Sequence, residues 1–352
     1  MDMKIPSHAD AFEVLCLQAA DEGRGAVLFG ESFERARKVA RPFMVGEKFP
    51  SVYLEFPLLG EPFLDVTVLM GELPAGTRID SPAVEGVDGL LEWAGDACKV
   101  SDSICFGFEI DAKEASLPAA AVHFQHFAHM ELVAPFLEAI GEPERAGAYL
   151  DLAARMPQGW PLAFFGLFRG RPQAPLRACG YLDKLEKAAC AKDPAHIAAA
   201  FDAVGFTAYD DAMLDCASRI LAATPGGVDF QFDVFDDGRL GPTFAFDLQF
   251  DIAQPEEVRA SFADGPAAHV LGLLEDLGVA DGRWKLAGDA AFAQAIGVEL
   301  DSGEAGRFAF TLMPQWVKAR WTDCALQPSK LYHLAKAGIS SPREDIQVEA
   351  GC

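Results

Sequence analysis

The feature that most constrains this chain is a recurrence of pattern: two strand-like runs joined by a short connection, then a helical stretch, five times over. SVYLEFPL (51–58) and PFLDVTVLM (62–70) alternate apolar and polar residues and are joined by a tight turn containing Gly60. SICFGFEI (103–110) pairs with AAAVHFQHF (119–127), PLAFFGLF (161–168) with PLRACGYL (175–182), and VDFQFDVF (228–235) with PTFAFDLQFDI (242–252). The fifth pair is GRFAFTLM (306–313) with KLYHLA (330–335), separated by PQWVKARWTDCALQPS. Between pairs, apolar residues fall at helical spacing, as in ELVAPFLEAIGEPERAGAYLDLAARM, the Ala-rich 184–223, and the stretches 255–277 and 289–296.

Antiparallel pairs separated by helices exclude a doubly wound parallel sheet, which needs a crossover after every strand. Ten strands of this kind predict an α/β (α+β) fold: a closed ten-stranded antiparallel barrel surrounded by helices, built from five repeated α-β-β-α units. Closure would remove the edges that a flat ten-stranded sheet exposes. Open sheets, each with one face on helices and one in water, give the same alternation. We divide the chain into an N-terminal helical segment packed on the barrel (1–30), a single barrel domain (31–337) and a C-terminal tail (338–352).

Alternation assigns the two faces of each strand. In VDFQFDVF, Val228, Phe230, Phe232 and Val234 share one face and Asp229, Gln231 and Asp233 the other; in its partner, Phe244, Phe246, Leu248 and Phe250 oppose Thr243, Ala245, Asp247 and Gln249. Tyr53, Glu55, Asp65 and Thr67 oppose Leu54, Phe56, Leu64, Val66 and Val68, and Cys105 and Glu109 oppose Phe106, Phe108 and Ile110. The apolar face belongs against the helices, which leaves a polar lumen able to hold a ligand.

The formal charge of −24 and pI of about 4.6 argue against nucleic acid and anionic membranes as partners. No apolar run approaches the roughly 18 residues of a membrane span, and the N-terminal stretch lacks the apolar core of a secretory signal. Eight cysteines without a C-x-x-C fit free thiols of a reducing compartment, so the expected location is cytoplasmic. His123, His126 and His129 are poorly spaced for a shared metal and read as structural; Arg169, Arg171 and Arg239, in hairpin turns, read as solvated. There is no dinucleotide fingerprint, Walker A, H-E-x-x-H or G-x-S-x-G.

Five strand pairs with helices outside and a polar lumen resemble the ABBA, or PT-barrel, prenyltransferases over roughly residues 30–335. KLYHL is similar to the Lys-x-Tyr strands with which that family's indole and peptide members hold a diphosphate, which implies that role for Lys330 and Tyr332. FFGLFRGRPQAPLRACGYL (164–182) resembles a strand pair of the branch that modifies ribosomally made peptides, the cyanobactin type. The resemblance implies transfer of a dimethylallyl or longer isoprenyl group, from dimethylallyl or geranyl diphosphate, to a peptide side chain or aromatic acceptor. It implies no required cofactor, with magnesium an option.

The chemistry needs cations for the diphosphate, aromatic faces for the allyl cation, and a base for the acceptor. Arg177 and Tyr181 share a strand face, Arg307 begins the fifth pair, and Lys330 and Tyr332 share a face of the last strand; these are the diphosphate candidates. Glu55 is the expected base and Asp65 its nearest rival, with Tyr53 available to shield the cation. The further inward acids Glu109, Asp229, Asp233 and Asp247 suit a cationic acceptor such as an arginine guanidinium, or a bridging divalent ion. The alternative is a barrel that binds a peptide or small ligand in an acidic lumen without this chemistry.

Overall fold

The structure, a computed structural model, describes residues 7–340 except 47, 72, 74–75, 82–83, 85–87, 98–99, 102–103, 111–119, 170–172 and 300–304. Helices α1 (His8–Ala19), α2 (Arg24–Leu28) and α3 (Phe33–Ala40) precede strands β1 (Ser51–Pro57) and β2 (Asp65–Met70). The next units are α4 (Asp88–Ala97) with β3 (Cys105–Ile110) and β4 (Ala121–Gln125), then α5 (Val133–Ala139) and α6 (Arg145–Arg155) with β5 (Leu162–Leu167) and β6 (Leu176–Tyr181). After these come α7 (Lys184–Lys192), α8 (Pro194–Val204) and α9 (Asp211–Ala223) with β7 (Val228–Val234) and β8 (Leu240–Gln249). The last unit holds α10 (Pro255–Ala263), α11 (Pro266–Asp276), α12 (Arg283–Asp289), β9 (Phe292–Glu299), β10 (Ala305–Thr322), β11 (Ala325–Leu326) and β12 (Lys330–Ser340).

Local chemistry sets the element ends. Asp183, Asp193 and Asp210 cap α7, α8 and α9, their side chains accepting from otherwise unpaired first-turn N–H groups. Gly60 takes φ +83° in the β1–β2 connection and Gly205 takes φ +81° just past α8, both in the left-handed region.

Strands β1 to β8 pair antiparallel in sequence order, β8 pairs with β10, β10 with β12, and β12 with β1. The ring therefore closes with ten strands. Its outer face is the phenylalanine face of the alternation: Phe201 of α8 packs edge-on to Phe232 and Phe244, and Phe136 of α5 stacks on Phe124 at 4.4 Å. Each fully buried Phe contributes roughly 1.5–3 kcal/mol. The second buried cluster lies on the opposite strand face, inside the ring, and comprises Tyr53, Leu69, Cys105, Tyr332 and Leu334 with Trp316 against them.

Two expectations are corrected. Residues 289–296 do not form a helix: α12 ends at Asp289 and β9 begins at Phe292, because FAQAIGVE pairs along the first half of β10. The barrel strand of the fifth unit is not 306–313 but the later half of β10, with a register irregularity between Pro314 and Trp316 dividing the halves. The first half, with β9 and the far half of β12, forms a three-stranded extension of the sheet beyond the β8 pairing. Among the described residues no helix is long and apolar enough to cross a membrane. Arg171, Cys98, Cys352 and residues 341–352 of the tail lie outside the described residues; none of the six described cysteines is in a disulfide.

Candidate active site

The alternation that places phenylalanines outside places charges inside, and the shear of the barrel gathers them at one end. The cavity there is lined by four cations, Arg177 of β6, Lys318 and Arg320 of β10, and Lys330 of β12. Glu55, Glu109 and Asp233 line the same cavity with Gln231, Thr243, Phe168 and Tyr332.

Carboxylates hold most of these cations in place. Lys330 Nζ donates to Glu55 Oε1 at 2.5 Å and lies 3.4 Å from Asp65 Oδ2; both carboxylates are buried and sit directly opposite each other on β1 and β2. Burial alone would lower the Lys330 pKa, but Glu55 and Asp65 reverse the effect and raise it. Lys318 Nζ lies 3.5 Å from Asp247 Oδ1, whose other oxygen accepts from Gln231 Nε2 at 2.7 Å. Arg177 Nε is 3.9 Å from Asp233, and its guanidinium stands 4.3 Å from the Phe168 ring centroid. Among the described residues, Arg320 has no carboxylate within ion-pair distance, although its charge helps to lower the Asp233 pKa against the rise caused by burial.

A pair of acids lies below this ring of charge. Asp229 of β7 and Asp247 of β8 face each other in register. Burial drives the Asp229 carboxyl up to about 8, Asp247 adds to the rise, and Lys318 and Gln249 oppose it. Beside them the aromatic interior begins: Lys318 Nζ is 5.2 Å from the Tyr332 ring, Tyr332 stacks on Trp316 at 5.3 Å, and Trp316 packs on Tyr53 at 4.7 Å. One continuous column therefore runs from the cations into three aromatic rings.

On the far wall, Glu109 of β3 and His123 of β4 form a pair, Oε2 to Nε2, at 3.0 Å. Gly166 of β5 makes room for the imidazole, since a Cβ there would come within 2.8 Å of the ring. Burial would raise the Glu109 carboxyl, yet the hydrogen bond to His123 and the charges of His123, Arg177 and Lys330 hold it far below the ordinary range.

The structure thus brings together Glu55, Asp65, Glu109, Arg177, Asp233, Lys330 and Tyr332, with Tyr53, Asp229 and Asp247 beneath the cavity instead of on its wall. Two diphosphate candidates are misplaced. Arg307 is exposed in the sheet extension, opposite Gly297 and Ser340, and does not line the cavity. Tyr181 sits at the other end of β6 from Arg177, 42% exposed, for the strand runs out of the lumen there. His123, read as structural, faces the lumen, whereas His126 is buried outside it against Tyr149 at 2.6 Å. Lys318, Arg320 and Trp316 are functional candidates that the sequence reading missed. Their signal is the alternation of WVKARWT, in which Val317, Ala319 and Trp321 are the buried outward set.

Among the described residues, no group of three or more His, Cys, Asp or Glu side chains is arranged to hold a metal ion. No protein-family model and no curated protein matches the chain. Solved structures do match over nearly its whole length. 5-Dimethylallyltryptophan synthase from Streptomyces coelicolor shares 15% identity over 94% of this chain and 97% of its own, with a TM-score of 0.53. The prenyltransferase PriB in its apo form shares 11% identity over 96% and 99%, at 0.51, and AnaPT from Neosartorya fischeri 10% over 96% and 94%, at 0.50. Identities this low carry the fold and leave the activity to the site. The closed ring of ten antiparallel strands with helices outside and charges within is the PT-barrel fold, the architecture of ABBA-type prenyltransferases.

Proposed function

We propose that this barrel transfers a prenyl group from an allylic diphosphate to a nucleophilic acceptor. The observation that carries the reading is the column of side chains inside the ring: Arg177, Lys318, Arg320 and Lys330 around one cavity, with Tyr332, Trp316 and Tyr53 stacked directly beneath. The cations suit the diphosphate, whose leaving as an anion they favour electrostatically. The rings offer π faces to the allyl cation and keep water from it. A dimethylallyl donor is the simplest fit, because the aromatic column fills the lumen below the cavity. Glu55 and Asp65 hold Lys330 in position for the diphosphate.

The acceptor is one that presents N–H or C–H at carboxylates: an aromatic small molecule such as tryptophan, which the name of the Streptomyces coelicolor neighbour carries, or the guanidine of a peptide arginine. Calorimetric titration with pyrophosphate and mass spectrometry after incubation with dimethylallyl diphosphate and each acceptor test the reading. Binding of pyrophosphate in the micromolar range and a prenylated product support it; absence of both overturns it. A second reading rests on the compensation of Lys318, Lys330 and Arg177 by carboxylates. It is a barrel that binds a zwitterionic ligand without bond chemistry, and it requires binding without any transferred group.

A further inference from the structure

From the partners of the lumen carboxylates we infer that Glu109 is the proton acceptor of the reaction and that His123, acting through it, is a positioning residue. This rests on the prenyl-transfer reading and moves the base from β1, where the sequence places it, to β3. Glu55 and Asp65 are committed to Lys330, Asp233 faces Arg177, and Asp247 faces Lys318. Each of those carboxylates has a lysine or arginine as its partner, a donor with no acceptor site through which a proton could be passed on. Among the described lumen carboxylates with an ion-pair partner, Glu109 alone has a histidine, whose imidazole can accept a proton as well as donate one.

The geometry agrees with that role. Glu109 lines the cavity, and His123 takes only its Oε2. The imidazole is fixed from two further sides, by the space left at Gly166 and by an edge-on contact with Phe168 at 6.2 Å. The charged and titratable groups facing the pair are Arg177 from β6 and Lys330 and Tyr332 from β12. In the transfer, the allylic C–O bond breaks with its electron pair leaving on the diphosphate, and the nucleophilic atom of the acceptor bonds to the allylic carbon. The proton that the acceptor gives up passes to Glu109, which His123 holds through Oε2. An aromatic ring alkylated on carbon is a strong acid before it loses this proton, so a weakly basic carboxylate suffices there.

The test uses the whole chain, dimethylallyl diphosphate, and whichever of L-tryptophan or an arginine-containing peptide the wild type alkylates. Glu109→Gln should lower kcat ~100-fold or more, the usual scale for a general base. His123→Gln keeps an amide within reach of Glu109 but has no basic nitrogen; it should lower kcat ~10-fold or more while the KM for the acceptor stays unchanged. Pyrophosphate binding measured by calorimetry should not weaken in either variant, which also certifies their fold; if Glu109→Gln does not fold, His123→Gln carries the test alone. A wild type that transfers prenyl groups while His123→Gln keeps its kcat overturns the pair as base. A wild type that neither binds pyrophosphate nor transfers overturns prenyl transfer itself, and the inference with it.

Discussion

At the scale of single residues, ion pairs inside the lumen do structural as well as chemical work. Lys330 neutralises two buried carboxylates, so Lys330→Met, which keeps the stem and removes the charge, takes their shared cation away from Glu55 and Asp65. Breaking a buried pair in this way costs about 3–5 kcal/mol, and urea denaturation at pH 7 should record a loss of that order. Asp229 works in the opposite sense. Its folded pKa of about 8 lies above the ordinary carboxylate value, so the folded state binds the extra proton between them. The stabilisation from this group is complete below about pH 4 and is lost as pH rises to about 8. Asp229→Asn should therefore raise Tm relative to wild type by an amount that grows from pH 4 to pH 8 and then levels off.

At the scale of elements, the phenylalanine face of the strands was legible from alternation alone. Phe244 shows why: fully buried, it packs edge-on to Phe201 at 4.7 Å and to Phe246 at 4.7 Å, with Phe232 at 5.0 Å. Phe244→Ala should destabilise by about 3–5 kcal/mol, read from the denaturation midpoint. What was not legible was β10. Pro314 interrupts an 18-residue strand, and the run before it, GRFAFTLM, carries the cleaner alternation. The pattern therefore favoured the extension over the strand that closes the ring, and Lys318 and Arg320 were left in a supposed loop. Register decided the matter, because Lys318 stands between Lys330 on one neighbour and Asp247 on the other. Period-two reasoning assigns faces but not which part of a long strand finds which partner. The Glu109–His123 hydrogen bond was not legible for a related cause: it depends on Glu109 on β3 and on the space above Gly166 on β5, neither of which is local to His123 in sequence.

At the scale of the molecule, closure is a contact between the first and last strands of the ring. The seam joins β1 to β12, and the Glu55–Lys330 pair across it spans 275 residues. A ribosome making this protein exposes β1 long before its partner exists, so the ring cannot shut until β12 has been made. Topologies dominated by such distant pairings fold slowly and leave strand edges open to other chains in the meantime. Here the waiting edge carries its own guard. Until Lys330 arrives, Glu55 and Asp65 are two unneutralised negative charges pointing from the inward face of the first hairpin, and inward-pointing charge discourages a second nascent chain from adding to that edge. The residue that completes the cation cluster is also the one that discharges this repulsion, so a single lysine at the start of β12 marks the moment at which the barrel closes.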